Sequence, residues 1–122
     1  MKTFEKEALQ YDLLSLVALQ TRRKNNISLF EKSIKEEREI SSKEEIIQEA
    51  LESKLRLHDT GRVKLDASEC HLIQLDLPKI KSTREKREQT IKLLKNAIIA
   101  EQTSMDYEER MIAFLESNGN KK

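Results

Sequence analysis

The sequence contains few of the residues that interrupt helices or build β-rich domains. Its 122 residues include two glycines, one proline and no tryptophan, and only 4% are aromatic. Sandwiches and barrels depend on frequent turns, so this composition disfavours them. Ala, Glu, Lys, Leu and Arg supply 63 of the 122 residues, a share that is typical of long helices and coiled coils. The sequence therefore predicts an all-α protein, an elongated helical bundle or coiled-coil-like hairpin.

The low cysteine count, the low net charge and the short apolar runs restrict the cellular compartment and the partners that the sequence predicts. A single cysteine, Cys70, excludes an internal disulfide framework and indicates a reducing compartment. The net charge is only +1, so there is no strong overall field to attract nucleic acid or a membrane. The apolar run at residues 13–19 is much shorter than the roughly 20 residues that span a bilayer. We expect a soluble, intracellular protein, in the cytoplasm or the nucleus, without a membrane partner.

Two amphipathic helices are predicted at the start, over residues 4–24 and 27–40. Apolar residues at helical spacing mark their faces: Leu9, Leu13, Leu16 and Val17 in the first, Ile27, Phe30 and Ile34 in the second. Between them only Gln20 and Arg23 continue the register. The segments form either one helix with a polar middle or two helices that bend at Asn25-Asn26, and the bend is favoured.

A third helix is predicted over residues 43–58. Ser42 and Glu45 have the spacing of a capping box, in which each side chain pairs with a free amide at the helix start. Apolar residues follow at helical spacing: Ile46, Ile47, Ala50, Leu51, Leu55 and Leu57. Gly61 can adopt the positive φ that closes a helix.

Residues 62–81 allow two interpretations. Ile73, Leu75 and Leu77 alternate as in a strand, and Val63 with Leu65 could pair with them across a hairpin. Asp66 and Glu69 instead have capping-box spacing, which predicts a short helix. Either element would end at Pro78. A short helix or irregular packing is favoured over the hairpin.

A long C-terminal helix over residues 83–117 is the clearest prediction. Ser82 and Glu85 form another capping-box spacing, and Gly119 marks its end. A disordered tail is expected at 119–122. Together with the earlier helices, these residues predict one helical domain over 1–122.

The C-terminal helix carries an apolar stripe. Six residues fall on a and d positions of a seven-residue repeat: Ile91, Leu94, Ile98, Met105, Ile112 and Leu115. Glu101 and Glu108 occupy its polar gaps. About 35 helical residues extend about 50 Å, more than any preceding predicted helix. We therefore favour an interface between this stripe and a partner helix, of a second copy or another protein. The alternative is an ordinary intramolecular bundle.

A basic cluster precedes and begins the same predicted helix: Lys79, Lys81, Arg84, Lys86 and Arg87. Positive charge is unfavourable at a helix N-terminus, so the cluster is a candidate contact for an anion or an acidic partner. The favoured interpretation is that these charges are solvated and offset by Glu85, Glu88 and acidic neighbours in the fold.

No residue pattern indicates catalysis or metal binding. Cys70, His71 and His58 are too few and too badly spaced for a structural zinc site, and no orienting group or oxyanion site accompanies a cysteine nucleophile. We expect no cofactor. The favoured function is a non-enzymatic helical interaction module, a subunit or adaptor. The alternative is a small nucleic-acid-binding accessory protein that uses the basic cluster.

Overall fold

The structure, a computed structural model, describes residues 3–120, with side chains described as far as residue 118. Three α-helices form this part of the chain: α1 (Thr3–Ala8), α2 (Leu13–Asp59) and α3 (Ala67–Asn120). No strand occurs within these residues, and the two long helices pack against each other. The predicted all-α, hairpin-like bundle with a long C-terminal helix is confirmed.

The chain divides into two compact units. Unit 1 combines Met1–Ser33 with Leu94–Lys122, and unit 2 is Ile34–Leu93. In each unit a segment of α2 contacts a segment of α3, and α1 belongs to unit 1. The grouping of all 122 residues into one domain stays a prediction.

The core of unit 1 contains residues from all three helices. Ala8 of α1 and Leu16 of α2 are 0% exposed, and Met111 of α3 is 3% exposed. Partly buried apolar residues surround them, namely Phe4, Leu19, Tyr107, Ile112, Phe114 and Leu115. The Phe4 ring meets Tyr107 edge-on at 5.4 Å, a favourable aromatic geometry. The short α1 is therefore held by packing, because a six-residue helix has little stability of its own.

Between α1 and α2 the chain turns at residues 9–12, inside the segment predicted as one helix from 4 to 24. Asp12 caps the start of α2, since its Oδ1 accepts a hydrogen bond of 2.8 Å from the amide of Ser15. Two hydrogen bonds with Ser15 lower the pKa of this carboxyl. The predicted single helix is wrong here because Asp12 caps a new helix start, although the apolar spacing continues across it.

The favoured bend at Asn25-Asn26 is also wrong, as is the helix start at residue 43. Helix α2 is continuous through both places. The polar middle of the helix is satisfied by α3: Gln20 donates a 2.9 Å hydrogen bond to the carbonyl of Met105, and Arg23 pairs with acidic residues described below. These tertiary contacts override the weak local preference of Asn and Ser for helix ends.

The end of α2 follows the sequence prediction closely. Gly61 has φ +77°. The Gly61 amide donates to the carbonyl of His58, and the Arg62 amide donates to the carbonyl of Leu57. These two bonds form a Schellman motif, which satisfies the free carbonyls of a helix end. The amide of Leu65 then donates a 3.2 Å hydrogen bond to Nδ1 of His58, which ties the end of the connection to the last turn of α2.

Helix α3 begins at Ala67, so the β-hairpin and the irregular segment predicted at 62–81 are wrong from residue 67 onward. Asp66 caps the helix by accepting a 2.8 Å hydrogen bond from the amide of Glu69, as its capping-box spacing predicted. The helix passes through Pro78. Ile73 and Leu77 before the proline are buried, and we infer that their burial outweighs the backbone hydrogen bond that proline removes.

The predicted bounds of 83–117 for the C-terminal helix are therefore too short at both ends, and Ser82 lies inside α3. Of the predicted tail at 119–122, residues 119 and 120 belong to α3, and 121–122 lie outside the described residues. Covered positions recur along α3 at alternating steps of three and four residues. They are Ile73, Leu77, Ile80, Arg84, Arg87, Ile91, Leu94, Ile98, Glu101, Met105, Glu108, Ile112 and Leu115. The seven-residue repeat thus begins well before Ile91.

Candidate functional site

The predicted partner-helix interface lies on the covered face of α3. Ile91 is 4% exposed, and the other five residues, Leu94, Ile98, Met105, Ile112 and Leu115, are half-buried. Ile112 and Leu115 pack against the core of unit 1, so this chain already uses them. Further contact of the stripe with a partner stays a prediction.

An ion-pair network in unit 1 joins the polar middle of α2 to the polar gaps of the α3 stripe. Arg23 donates from Nε to Glu108 at 2.8 Å and from Nη1 to Glu101 at 3.2 Å. The Glu108 side chain is 7% exposed and that of Arg23 is 25% exposed. The hydrogen bond to Glu108, supported by that to Glu101, raises the pKa of Arg23 despite the opposing effect of burial. We call these three residues the Arg23 network.

Unit 2 contains a second network of the same composition. Arg87 of α3 donates from Nε to Glu44 and from Nη1 to Glu37, both at 2.7 Å. Hydrogen bonds to Glu44 and then Glu37 raise the pKa of Arg87. In this Arg87 network, as in the Arg23 network, one guanidinium binds two glutamates that are seven residues apart on the facing helix. The side chains of Arg87, Glu37 and Glu44 are 17%, 28% and 19% exposed, so this network is only partly buried. We infer that the two networks help to set the register of α2 against α3.

The structure distributes the predicted basic cluster among several contacts. Besides Arg87, Arg84 donates to the side-chain oxygen of Gln48 at 2.7 Å, and Lys81 lies 3.7 Å from Glu52. Lys79 and Lys86 are exposed. Acidic and amide groups of α2 therefore contact three of the five cations, which is the arrangement expected if acidic neighbours in the fold offset the cluster.

The premise that the cluster surrounds a helix N-terminus is wrong, because α3 begins at Ala67. Amides near residue 84 are inside the helix and do not form an anion site. A groove beside the cluster is lined by Lys81, Arg84, Glu85 and Glu88 together with two glutamines, so its charges balance. Binding of nucleic acid by this cluster stays a prediction.

Neither histidine nor the cysteine belongs to a recognisable chemical site. Cys70 is half-buried, His71 is exposed, and His58 accepts the backbone bond from Leu65. Within residues 3–120, no group of three or more Cys, His, Asp or Glu side chains is arranged to hold a metal ion.

Sequence reasoning did not identify the two networks, although it noticed several of their members. Gln20 and Arg23 were the polar residues in register on α2, and Glu101 and Glu108 were the polar gaps on α3. The signal was a charge match between the two segments. The polar position on α2 is the basic Arg23, and the polar gaps on α3 are Glu101 and Glu108, which are seven residues apart. It can be read only when the two segments are aligned antiparallel.

An exposed stripe on α2 within unit 2 was also missed. Its members recur at alternating steps of four and three residues, and all are exposed: Glu36, Ile40, Lys43, Ile47, Ala50 and Lys54. We call these six residues the α2 surface stripe. Ile47 is 51% exposed, and Ile46 beside it is 67% exposed. Sequence reasoning assigned Ile46, Ile47 and Ala50 to the apolar face of a helix, whereas these three residues are exposed to solvent.

A second exposed apolar patch lies in unit 1, where α2 begins. Leu14 is 82% exposed and Val17 is 47% exposed, three residues further along the helix and thus on the same side. Leu9, Tyr11 and Leu13 nearby are also exposed. Contiguous exposed apolar residues often mark contact surfaces.

Comparison with protein-family models, with curated proteins and with solved structures gave no match for this chain. No helix within residues 3–120 has the length and apolar character required to cross a membrane.

Proposed function

We propose that this protein is a non-enzymatic helical module that binds another protein chain through apolar surface on its helices. The observation that carries this proposal is that exposed large hydrophobic residues outnumber buried hydrophobic residues. Among the described residues, seven hydrophobic residues are buried and fourteen large hydrophobic residues are exposed. Scattered exposed apolar residues are normal, but here they outnumber the buried ones and form groups on α2.

The physical reason is the limited cover that two paired helices give each other. Each helix buries one face against its neighbour, and an apolar residue on any other face stays in contact with water. Burying a Leu or Ile side chain completely contributes about 1.5–3 kcal/mol. A partner helix that covers Ile46 and Ile47, or Leu14 and Val17, would gain part of this free energy.

The proposed docking surface lies on α2, whereas the sequence analysis predicted it on the α3 stripe. None of those six residues is exposed. A partner that used them would have to replace contacts that α3 already makes with α2 and α1. The exposed groups on α2 require no such exchange.

The experiment compares three single substitutions on α2 in cells that express the protein. Ile47→Asp tests the α2 surface stripe, and Leu14→Asp tests the patch of unit 1. Asn25→Asp is the matched control, because it adds the same charge at an exposed position of the same helix without removing apolar surface. Circular dichroism first verifies that each variant keeps its helix content.

Chemical cross-linking in these cells should give a discrete product for the wild type and for Asn25→Asp. We expect this product to disappear with Ile47→Asp or with Leu14→Asp. A wild-type chain that remains uncross-linked, or the same product for all four proteins, would overturn the proposal.

A further inference from the structure

The spacing of the α2 surface stripe is symmetric about its own centre. The steps along it are four, three, four, three and four residues, from Glu36 to Lys54. Read in the opposite direction, the steps are the same. Any stripe of six residues at this heptad spacing has this property, and it allows two copies to pair in the antiparallel orientation, where residue i contacts residue j and j contacts i. The spacing permits such a dimer, and the charges of the stripe favour it.

Antiparallel alignment places opposite charges at both ends of the stripe and apolar or aliphatic surface between them. The stripe extends about 27 Å at the helical rise. Glu36 lies opposite Lys54 of the second copy at both ends, which joins opposite charges. Ile40 then lies opposite Ala50, a large residue against a small one. Lys43 lies opposite Ile47, where the aliphatic part of the lysine covers the isoleucine and its ammonium group stays in water.

Ile46 occupies a special position in this alignment. It lies one residue before Ile47, at the edge of the stripe, and two antiparallel copies bring it next to its own counterpart close to the twofold axis. In the structure it is 67% exposed. An exposed isoleucine beside the stripe and close to the twofold axis would gain apolar contact in such a dimer.

We propose that a second copy of this chain covers the α2 surface stripe in an antiparallel, twofold-symmetric dimer. This inference rests on the proposed interaction function and names its partner. The covered seam between α2 and α3 stays intact within each copy, since all six stripe residues are exposed. The net charge of +1 imposes little repulsion between copies.

The test is a charge exchange measured by sedimentation equilibrium of the full chain. Glu36→Lys places two lysines together at each end of the stripe, and Lys54→Glu places two glutamates together. Each single variant should weaken dimerisation by about tenfold or more, because two attractive pairs become repulsive in every dimer. The double variant Glu36→Lys/Lys54→Glu restores opposite charges and should return the dissociation constant to within about threefold of the wild type.

An apolar pair of variants completes the experiment. Ile46→Asp should abolish the dimer, whereas Leu93→Asp, at a position that is 68% exposed on α3, should leave it intact. Circular dichroism verifies the fold of every variant. A wild-type chain that is monomeric at high concentration overturns the dimer. The antiparallel alignment is overturned if the single charge reversals leave the dissociation constant of the dimer unchanged. It is also overturned if the double variant does not restore that constant.

Failure of this inference is distinguishable from failure of the proposed function. If the chain is monomeric in sedimentation but Ile47→Asp removes a cross-linked product in cells, the partner is a different protein and only the dimer is wrong. If neither experiment detects a complex, both are wrong.

Discussion

Replacement of Arg23 by methionine tests how far unit 1 depends on its buried ion pair. Methionine keeps most of the aliphatic stem of arginine but cannot pair with Glu108 and Glu101. Glu108 would then remain at a site where its side chain is only 7% exposed. We expect a clear loss of stability, because an unpaired buried charge loses its hydration without compensation.

The structure bounds the size of this loss. Removing one partner of a fully buried pair costs about 3–5 kcal/mol, and an exposed pair contributes at most about 1 kcal/mol. The Arg23 side chain is 25% exposed, so the pair lies between these limits and nearer the buried one. We expect about 2–4 kcal/mol, which corresponds to a decrease of about 1–2 M in the urea midpoint.

Urea unfolding can be followed separately in unit 1. Both tyrosines of the chain, Tyr11 and Tyr107, belong to that unit, so their fluorescence reports on it while circular dichroism reports on all helices. Arg22→Met is the matched control, since Arg22 is the adjacent arginine and is exposed. Its effect should stay within about 0.5 kcal/mol.

A double variant separates the charge from the packing. Arg23→Met/Glu108→Leu removes the more buried of the two unpaired carboxylates and should recover most of the lost stability, because apolar pairs often replace buried ion pairs without cost. The reasoning is refuted if Arg23→Met unfolds at the same urea concentration as Arg22→Met. It is equally refuted if the double variant is no more stable than Arg23→Met alone.

Three further predictions concern single positions. Pro78→Ala should raise the free energy of unfolding by about 1–3 kcal/mol in urea titrations, because alanine restores an amide inside α3; no gain would contradict this. Gly61→Ala should lower the free energy of unfolding by about 1–2 kcal/mol and Gly61→Asn by less, because Gly61 has φ +77° with open space around it. Equal losses for the two variants would indicate a steric cause instead. The hydrogen bond to Glu7 raises the pKa of Tyr107. This hydrogen bond therefore stabilises the fold fully below about pH 10. The stabilisation is lost as the pH rises through the raised pKa of Tyr107 in the folded state. Tyr107→Phe should abolish this alkaline loss in thermal melts, and an unchanged pH profile would exclude the interpretation.

Local signals in the sequence determined the class of the fold and some of the helix ends. The heptad spacing from Ile91 to Leu115 correctly identified the covered face of α3, because an α-helix presents residues three and four apart on one side. Gly61 and Asp66 correctly marked an end and a start, since a positive φ and an amide-capping carboxylate act over a few residues.

Other helix ends depended on contacts that no local window contains. Ser42 and Ser82 have capping-box spacing but lie inside helices. Helix α2 also continues through Asn25-Asn26. Around Ser42 the facing helix supplies tertiary contacts, with Arg87 bound to Glu37 and Glu44 on both sides of this serine. Capping preferences of about 1 kcal/mol yield to such tertiary contacts.

By itself the sequence determined that the chain is helical and which residues recur at heptad spacing, because periodicity is a property of one helix. Only the tertiary structure decided which recurring residues are covered. It placed Ile91 in the seam and left Ile47 in water, and it paired Arg23 of α2 with Glu108 of α3. Burial and charge pairing belong to two helices at once, so they become defined only when those helices are aligned.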